Sequence, residues 1–152
     1  MGSGRKLKIK ESSNDRFKRE DIQSSKPTHL KFNLSFITNN NSFCYQNKNF
    51  KDEYKVSLLN RIFELSSEEY IKVLLLSKNR GLEFIEKSAL SKAIEFGKFF
   101  DSADHRKNFS GKMAVFRLYP NNNPLPARVF GQVIQNVFYI LYIDLNHELC
   151  KS

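Results

Sequence analysis

Two arginines interrupt otherwise apolar stretches near the C-terminus, Arg117 within Met113–Tyr119 and Arg128 within Ala127–Ile134. Burying an unpaired guanidinium is costly, so each must reach solvent or meet an anion. Both stretches read as strands, and Pro120 to Pro124 between them reads as a turn, so antiparallel pairing sets the two arginines at about the same level. On a shared face, two such planar forks can hold a phosphate bidentately. The competing reading is structural, with each arginine snorkelling to water or pairing with a carboxylate such as Asp144. Beyond them come Tyr139, Tyr142, Asp144, Asn146 and His147. His147 is a candidate general acid or base near neutral pH, and Asp144 can orient it or cap the strand end. A lone His in such a place is more often a bystander.

These residues need a scaffold. Met113–Tyr119, Ala127–Ile134 and Val137–Ile143 form an antiparallel meander, whose second turn, Gln135-Asn136, is short enough to fix a hairpin. Upstream, Leu30, Phe32, Leu34 and Phe36 alternate with Lys31, Asn33 and Ser35 at the period of a half-buried strand, which the Asn-rich stretch from Thr38 to Ser42 ends. From Asp52 to Leu65 the spacing predicts a helix with Tyr54, Leu58, Leu59, Ile62, Phe63 and Leu65 inward and Lys55, Asn60 and Arg61 outward. Ser66 and Glu69 make a capping box for a second helix through Tyr70, Ile71, Val73, Leu74 and Leu75. Gly81, after Lys78-Asn79-Arg80, supplies its stop. Leu82 to Phe100 reads as a short extended piece and then a helix. Asp101 to Lys112 reads as an exposed polar loop carrying His105, Arg106 and Lys107; the pairing of Asp101 and Asp104 with His105 suggests solvation more than a metal. The expected class is α+β, with an N-terminal strand, an α-hairpin and a C-terminal antiparallel β-meander.

Length and composition fit one domain. The chain has 152 residues, 40% apolar, with fourteen Phe and no Trp, enough to build a core from residue 30 to 152. Residues 1–29 carry eight basic side chains, from Arg5 to Lys26, against Glu11, Asp15, Glu20 and Asp21, with almost nothing apolar to bury. They read as a flexible basic arm, either solvated or tracking a phosphate backbone. The net charge of +9 favours a polyanion such as RNA, DNA or an acidic protein. Cys44 and Cys150 lie far apart without a CxxC pair, so reduced thiols are expected, and neither a zinc site nor another metal is signalled. No G-x-S-x-G, P-loop, H-E-x-x-H or dinucleotide fingerprint occurs, so no small-molecule cofactor is expected. No apolar run reaches the length of a membrane span, which points to a cytoplasmic protein without a membrane partner.

The order strand, α-hairpin and meander, the last reading VFRLY…ARVFGQVIQNVFYILYIDLNH, resembles the RelE/ParE-like toxins of bacterial toxin–antitoxin modules over roughly Leu30 to Leu149. The resemblance implies a metal-independent endoribonuclease that cleaves mRNA, on the ribosome in some members, and is neutralised by an antitoxin. It gives Arg117 and Arg128 the part of holding and neutralising the scissile phosphate, and His147 and Tyr142 that of acid or base. Lys78 and Arg80, with Arg106 and Lys107 of the exposed loop, become backbone-gripping residues for RNA. The arm of about 29 residues and the 82–112 insertion depart from the family pattern, and gyrase-directed members do not cleave RNA. The alternative is a non-enzymatic basic module that binds nucleic acid or protein.

Overall fold

A computed structural model describes residues 28–92 and 112–150. The helix expected from Ala89, Leu90, Ala93, Ile94 and Phe96 does not begin at its first two residues, since Ala89 ends a 3-10 turn and Leu90 forms a bridge to Cys150. Its remainder lies outside the described residues, as does the loop carrying Asp101, Asp104, His105, Arg106 and Lys107. The fold is α+β. Its strands are β1 (Lys31–Asn33), β2 (Glu83–Glu86), β3 (Lys112–Arg117), β4 (Arg128–Ile134) and β5 (Val137–Asp144); its helices are α1 (Asp52–Ser66) and α2 (Tyr70–Leu75). The strands form one five-stranded mixed sheet in the order β1-β5-β4-β3-β2, with β1 parallel to β5 and every other pair antiparallel.

The meander forms where the sequence predicts it. Gln135 and Asn136 both take left-handed φ values, 50° and 64°, the geometry that a two-residue hairpin turn needs. A bulge interrupts the β4–β5 ladder. Phe130 faces Tyr142 while Gly131 faces Ile140, so Leu141 is the extra residue. The bulge reverses the alternation of β5: Ile140 and Ile143 pack on one side of the sheet, and Leu141 and Tyr142 on the other. Gly131 sits beside it because a Cβ there would overlap the Tyr139 carbonyl oxygen and the Phe138 ring.

The two sides of the sheet are covered differently. One packs Ala114, Phe116, Val129, Phe138 and Ile140 against Leu58 and Leu65 of α1 and Val73 of α2. The other packs Met113, Val115, Phe130, Leu141 and Tyr142 under Phe36, Phe43 and Leu149, which belong to irregular segments. The chain after β1 runs on along β5, with Thr38 N bonding Leu141 O at 2.9 Å and Ile143 N bonding Phe43 O at 2.9 Å.

Several expectations fail locally, each for a visible reason. The strand expected from Leu30 to Phe36 stops at Asn33, so Leu34 is exposed and Phe36 packs on the side opposite Leu30 and Phe32. The residues expected to end the arm are held: Thr28 O accepts from Tyr70 N, and His29 bridges to Glu69. The capping box does not form, because Ser66 is the last residue of α1 and its hydroxyl donates back to Ile62 O at 2.6 Å. Glu69 caps α2 without a side-chain bond. The second helix ends at Leu75, well before Gly81, and Gly81 is there for close approach, since a Cβ would meet Val73 O at 2.6 Å. After β2 the chain makes one 3-10 turn, Lys87–Ala89. Cys44 and Cys150 are free thiols, and no helix among the described residues is long and apolar enough to cross a membrane.

The orientation of α1 also differs. Leu58, Arg61 and Leu65 face inward, while Leu59 and Phe63 face solvent. Arg61, expected outside, is 5% exposed because its donors are used: Nε to Arg117 O at 2.9 Å, Nη2 to Arg80 O at 3.0 Å and Nη1 to Glu64 Oε2 at 2.7 Å.

Candidate anion site at one end of the sheet

Topology gathers the charged residues at one end of the sheet. β3 and β5 finish there and β2 and β4 begin there, so the segments after α2, between β3 and β4, and after β5 all meet. Arg117 and Arg128 are direct partners in the β3–β4 register, and Arg128 is the direct partner of Asp144 in the β4–β5 register. The three form one rung across three strands. By strand alternation they lie on the side of the sheet that carries Val115, Phe130 and Tyr142. Asp144 reaches that side only because of the bulge at Leu141.

The two arginines are held in different ways. Arg128 is 6% exposed, and its Nη1 donates to Asn122 Oδ1 at 2.8 Å, Pro126 O at 3.2 Å and Ala127 O at 3.3 Å. Burial first, and then the charge of Arg117, pull its pKa below the ordinary arginine range; Cys150, Glu83 and Asp144 oppose that shift. Arg117 is half-buried, donates from Nη1 to Pro120 O at 3.1 Å, and has its Nε buried without a hydrogen-bond partner among the described residues. Like charges set directly opposite each other in a sheet repel, and a buried N–H without an acceptor adds to the cost. An anion at the rung would offset the repulsion, while the Nε is closed to solvent.

Asp144 does not form the ion pair that the structural reading considered. The ion pairs among the described residues are Arg61–Glu64 and Lys92–Glu148. The carboxylate of Asp144 instead accepts from the amides of Glu148 at 3.0 Å and Leu149 at 2.8 Å, which fixes the turn that follows β5. His147 is on that turn, exposed, with a left-handed φ of 55°. The same turn faces the Asn-rich loop across a polar cleft of about 540 Å³, lined by Asn41, Asn47, Asp144 and Asn146 among others.

Tyr142 lies on the same side of the sheet but is 3% exposed, and burial pushes its phenol well above the ordinary tyrosine range. A phenol so placed keeps its proton and does not reach a substrate. Lys78 and Arg80 are exposed after α2, and Arg61 ties the Arg80 carbonyl to the end of β3 through the contacts given above. Arg80, Arg117, Arg128 and His147 thus sit on segments that converge on one end of the sheet. Arg106 and Lys107 are outside the described residues. Sequence reasoning missed Arg61 and Asn122, the side chains that set this end. A polar residue at a core spacing of α1, with Leu58 and Leu65 on either side, was the available signal for Arg61.

Among the described residues no group of three His, Cys, Asp or Glu side chains is arranged to hold a metal. Comparison with protein-family models, with curated proteins and with solved structures finds no match to this chain.

Proposed function

We propose that the chain is a toxin-like, metal-independent endoribonuclease that holds an RNA phosphate on the Arg117–Arg128 rung. The observation that carries this reading is the direct opposition of the two arginines in the β3–β4 register. A phosphate bridging the forks neutralises their repulsion. The strand, helix-pair and meander order, the net charge of +9 and the nearby Arg80 support the same reading.

In the proposed reaction His147 takes the proton of a ribose 2′-hydroxyl, and that oxygen forms a bond to the adjacent phosphorus. The bond from phosphorus to the 5′-oxygen breaks, and the 5′-oxygen takes a proton from the imidazolium. The products are a 2′,3′-cyclic phosphate and a 5′-hydroxyl. The pentacovalent intermediate carries more negative charge than the ground state, so fixed guanidinium groups favour it over the bound substrate. Such an activity acts on mRNA, free or on the ribosome, in the cytoplasm, and calls for a neutralising antitoxin.

The second reading, a non-enzymatic module that binds nucleic acid or protein, is favoured by one specific observation. Arg128 is nearly buried and already bonded to Asn122 and two carbonyls, and the Tyr142 phenol is inaccessible. The two readings separate on induced expression of the wild type beside Arg117→Ala and His147→Ala, with growth and transcript cleavage as readouts. The enzyme cleaves transcripts and arrests growth, and either substitution relieves both. RNA binding that survives His147→Ala, with no cleavage by any form, sinks the nuclease and leaves the binder.

A further inference from the structure

The polar cleft between the Asn-rich loop and the turn after β5 has a volume of about 540 Å³, within the range of small-ligand sites. The amide side chains around it fall into two groups. Asn40 and Asn47 fold the loop: Asn40 Oδ1 accepts from Ser42 N at 3.0 Å, and Asn47 accepts from Asn49 N at 3.0 Å and donates to Ser42 O at 3.1 Å. Asn41, Gln46, Asn49 and Asn146 line the cleft, are exposed, and have no side-chain hydrogen bond among the described residues. We propose that this cleft takes an adenine base of an RNA strand whose neighbouring phosphate lies on the Arg117–Arg128 rung.

Three observations select that ligand. The first is the chemistry of the lining. A carboxamide presents an acceptor beside a donor, the pair that the amino group and adjacent ring nitrogen of adenine complement, whereas guanine is better matched by Arg or Lys and cytosine by a carboxylate. The second is charge. The lining sets Lys48 against Asp144 and Glu148, so a phosphate gains little there while a neutral base loses nothing. Neither carboxylate is well placed to select cytosine: Asp144 already accepts from the amides of Glu148 and Leu149, and Glu148 has Lys92 at 3.9 Å. The third is position. Asp144 belongs both to the rung and to the cleft lining. Its strand, β5, lies two strand spacings from the Arg117 strand, roughly 10 Å, a span that one nucleotide covers from phosphate to base edge.

Both walls are built before any ligand arrives. The loop is tied to β5 by Ile143 N bonding Phe43 O at 2.9 Å and to itself through Asn40 and Asn47, and the opposite turn is clamped by Asp144. Binding therefore orders amide side chains and not backbone, which keeps its entropic cost low. The proposal rests on RNA being held at the rung, and it is the same for a nuclease and for a nucleic-acid binder.

The test measures binding of the full chain to short, labelled homo-oligomers of A, C and U by fluorescence anisotropy, with 2′-O-methyl riboses so that none can be cleaved. The wild type should bind the A oligomer about tenfold more tightly than the others, the discrimination expected of one bidentate amide–base pair. Replacing Asn41, Gln46, Asn49 and Asn146 together by Ala should bring A to within about twofold of U, with the affinity for U and the melting temperature unchanged. If the fourfold variant melts early, the pairs Asn41→Ala with Asn146→Ala and Gln46→Ala with Asn49→Ala carry the same measurement. Arg117→Ala should weaken all three oligomers alike. Equal binding of the three, a preference for C or U, or an A preference that survives the substitutions overturns the cleft proposal and leaves the rung standing. Binding of none overturns both.

Discussion

The two sides of the sheet differ in what covers them and therefore in what they can carry. The helix-covered side is filled by interlocked apolar groups, with Phe116 in ring contact with Phe32 at 5.9 Å and Phe138 at 5.2 Å. The other side is roofed by loops, and loops bring free backbone groups with them. There the carbonyls of Pro126 and Ala127 accept from Arg128, and the amides of Glu148 and Leu149 donate to Asp144. A buried charge is tolerable where irregular backbone can bond it. The Arg117–Arg128–Asp144 rung lies under the least regular cover for that reason.

The comparison can be broken or sharpened by substitution, beginning with the largest effect. Phe116→Ala should cost about 3–5 kcal/mol in chemical denaturation, since the helices cannot collapse into the space. Phe130→Ala, equally buried but under loops, should cost less; equal losses would show that the loop cover is as rigid as the helical one. Gly131→Ala should cost about 3 kcal/mol, because the added methyl meets backbone that must move, and it should also disturb the rung by shifting the bulge. Arg61→Ala should cost about 2–3 kcal/mol by orphaning the Arg117 and Arg80 carbonyls. Arg61→Lys should recover only part of that, since one ammonium cannot reproduce the fork.

The smallest effect is on pH dependence. Burial raises the phenol pKa of Tyr142 on the loop-covered side and of Tyr70 on the helix side above the ordinary tyrosine value, about 10. A raised folded-state pKa means that the native protein keeps the proton longer than the unfolded chain does. The contribution is fully present below pH 10 and is lost as the pH rises from there towards the folded value. Tyr142→Phe should flatten the alkaline fall in unfolding free energy by up to about 1.4 kcal/mol per pH unit, and Tyr70→Phe by less. Parallel curves for Tyr142→Phe and wild type would mean that the phenol reaches solvent.

The sequence revealed the parts of this fold that depend on local spacing. Counting from the Gln135-Asn136 turn and across Pro120 to Pro124 was enough to set Arg117 level with Arg128, because register follows turn length. What stayed hidden depends on partners distant in the chain. Arg61 looks solvent-facing until the carbonyls of Arg117 and Arg80 are known to be within its reach. Leu59 and Phe63 look buried because apolar periodicity gives the width of a stripe but not the arc that a neighbour covers. The bulge at Leu141 is marked in the sequence only by Gly131 on the facing strand, yet it decides which side Asp144 occupies. Ser66 and Glu69 have capping-box spacing, but a serine hydroxyl can bond back to its own helix, and here it does.

The parallel pairing of β1 with β5 has a consequence for assembly of the chain. Lys31 to Asn33 find their partners at Val137 to Tyr139, more than a hundred positions later. On a ribosome the first strand emerges with nothing to pair with, and Leu30 and Phe32 wait for almost the whole domain to be made. The β3–β4 and β4–β5 pairs close over the shortest connections and can form early; the β1 edge closes last, after the costliest loop. A folding time course should show Phe32 reaching its native contacts later than Phe130, and a chain arrested before β5 should leave the first strand open to proteases.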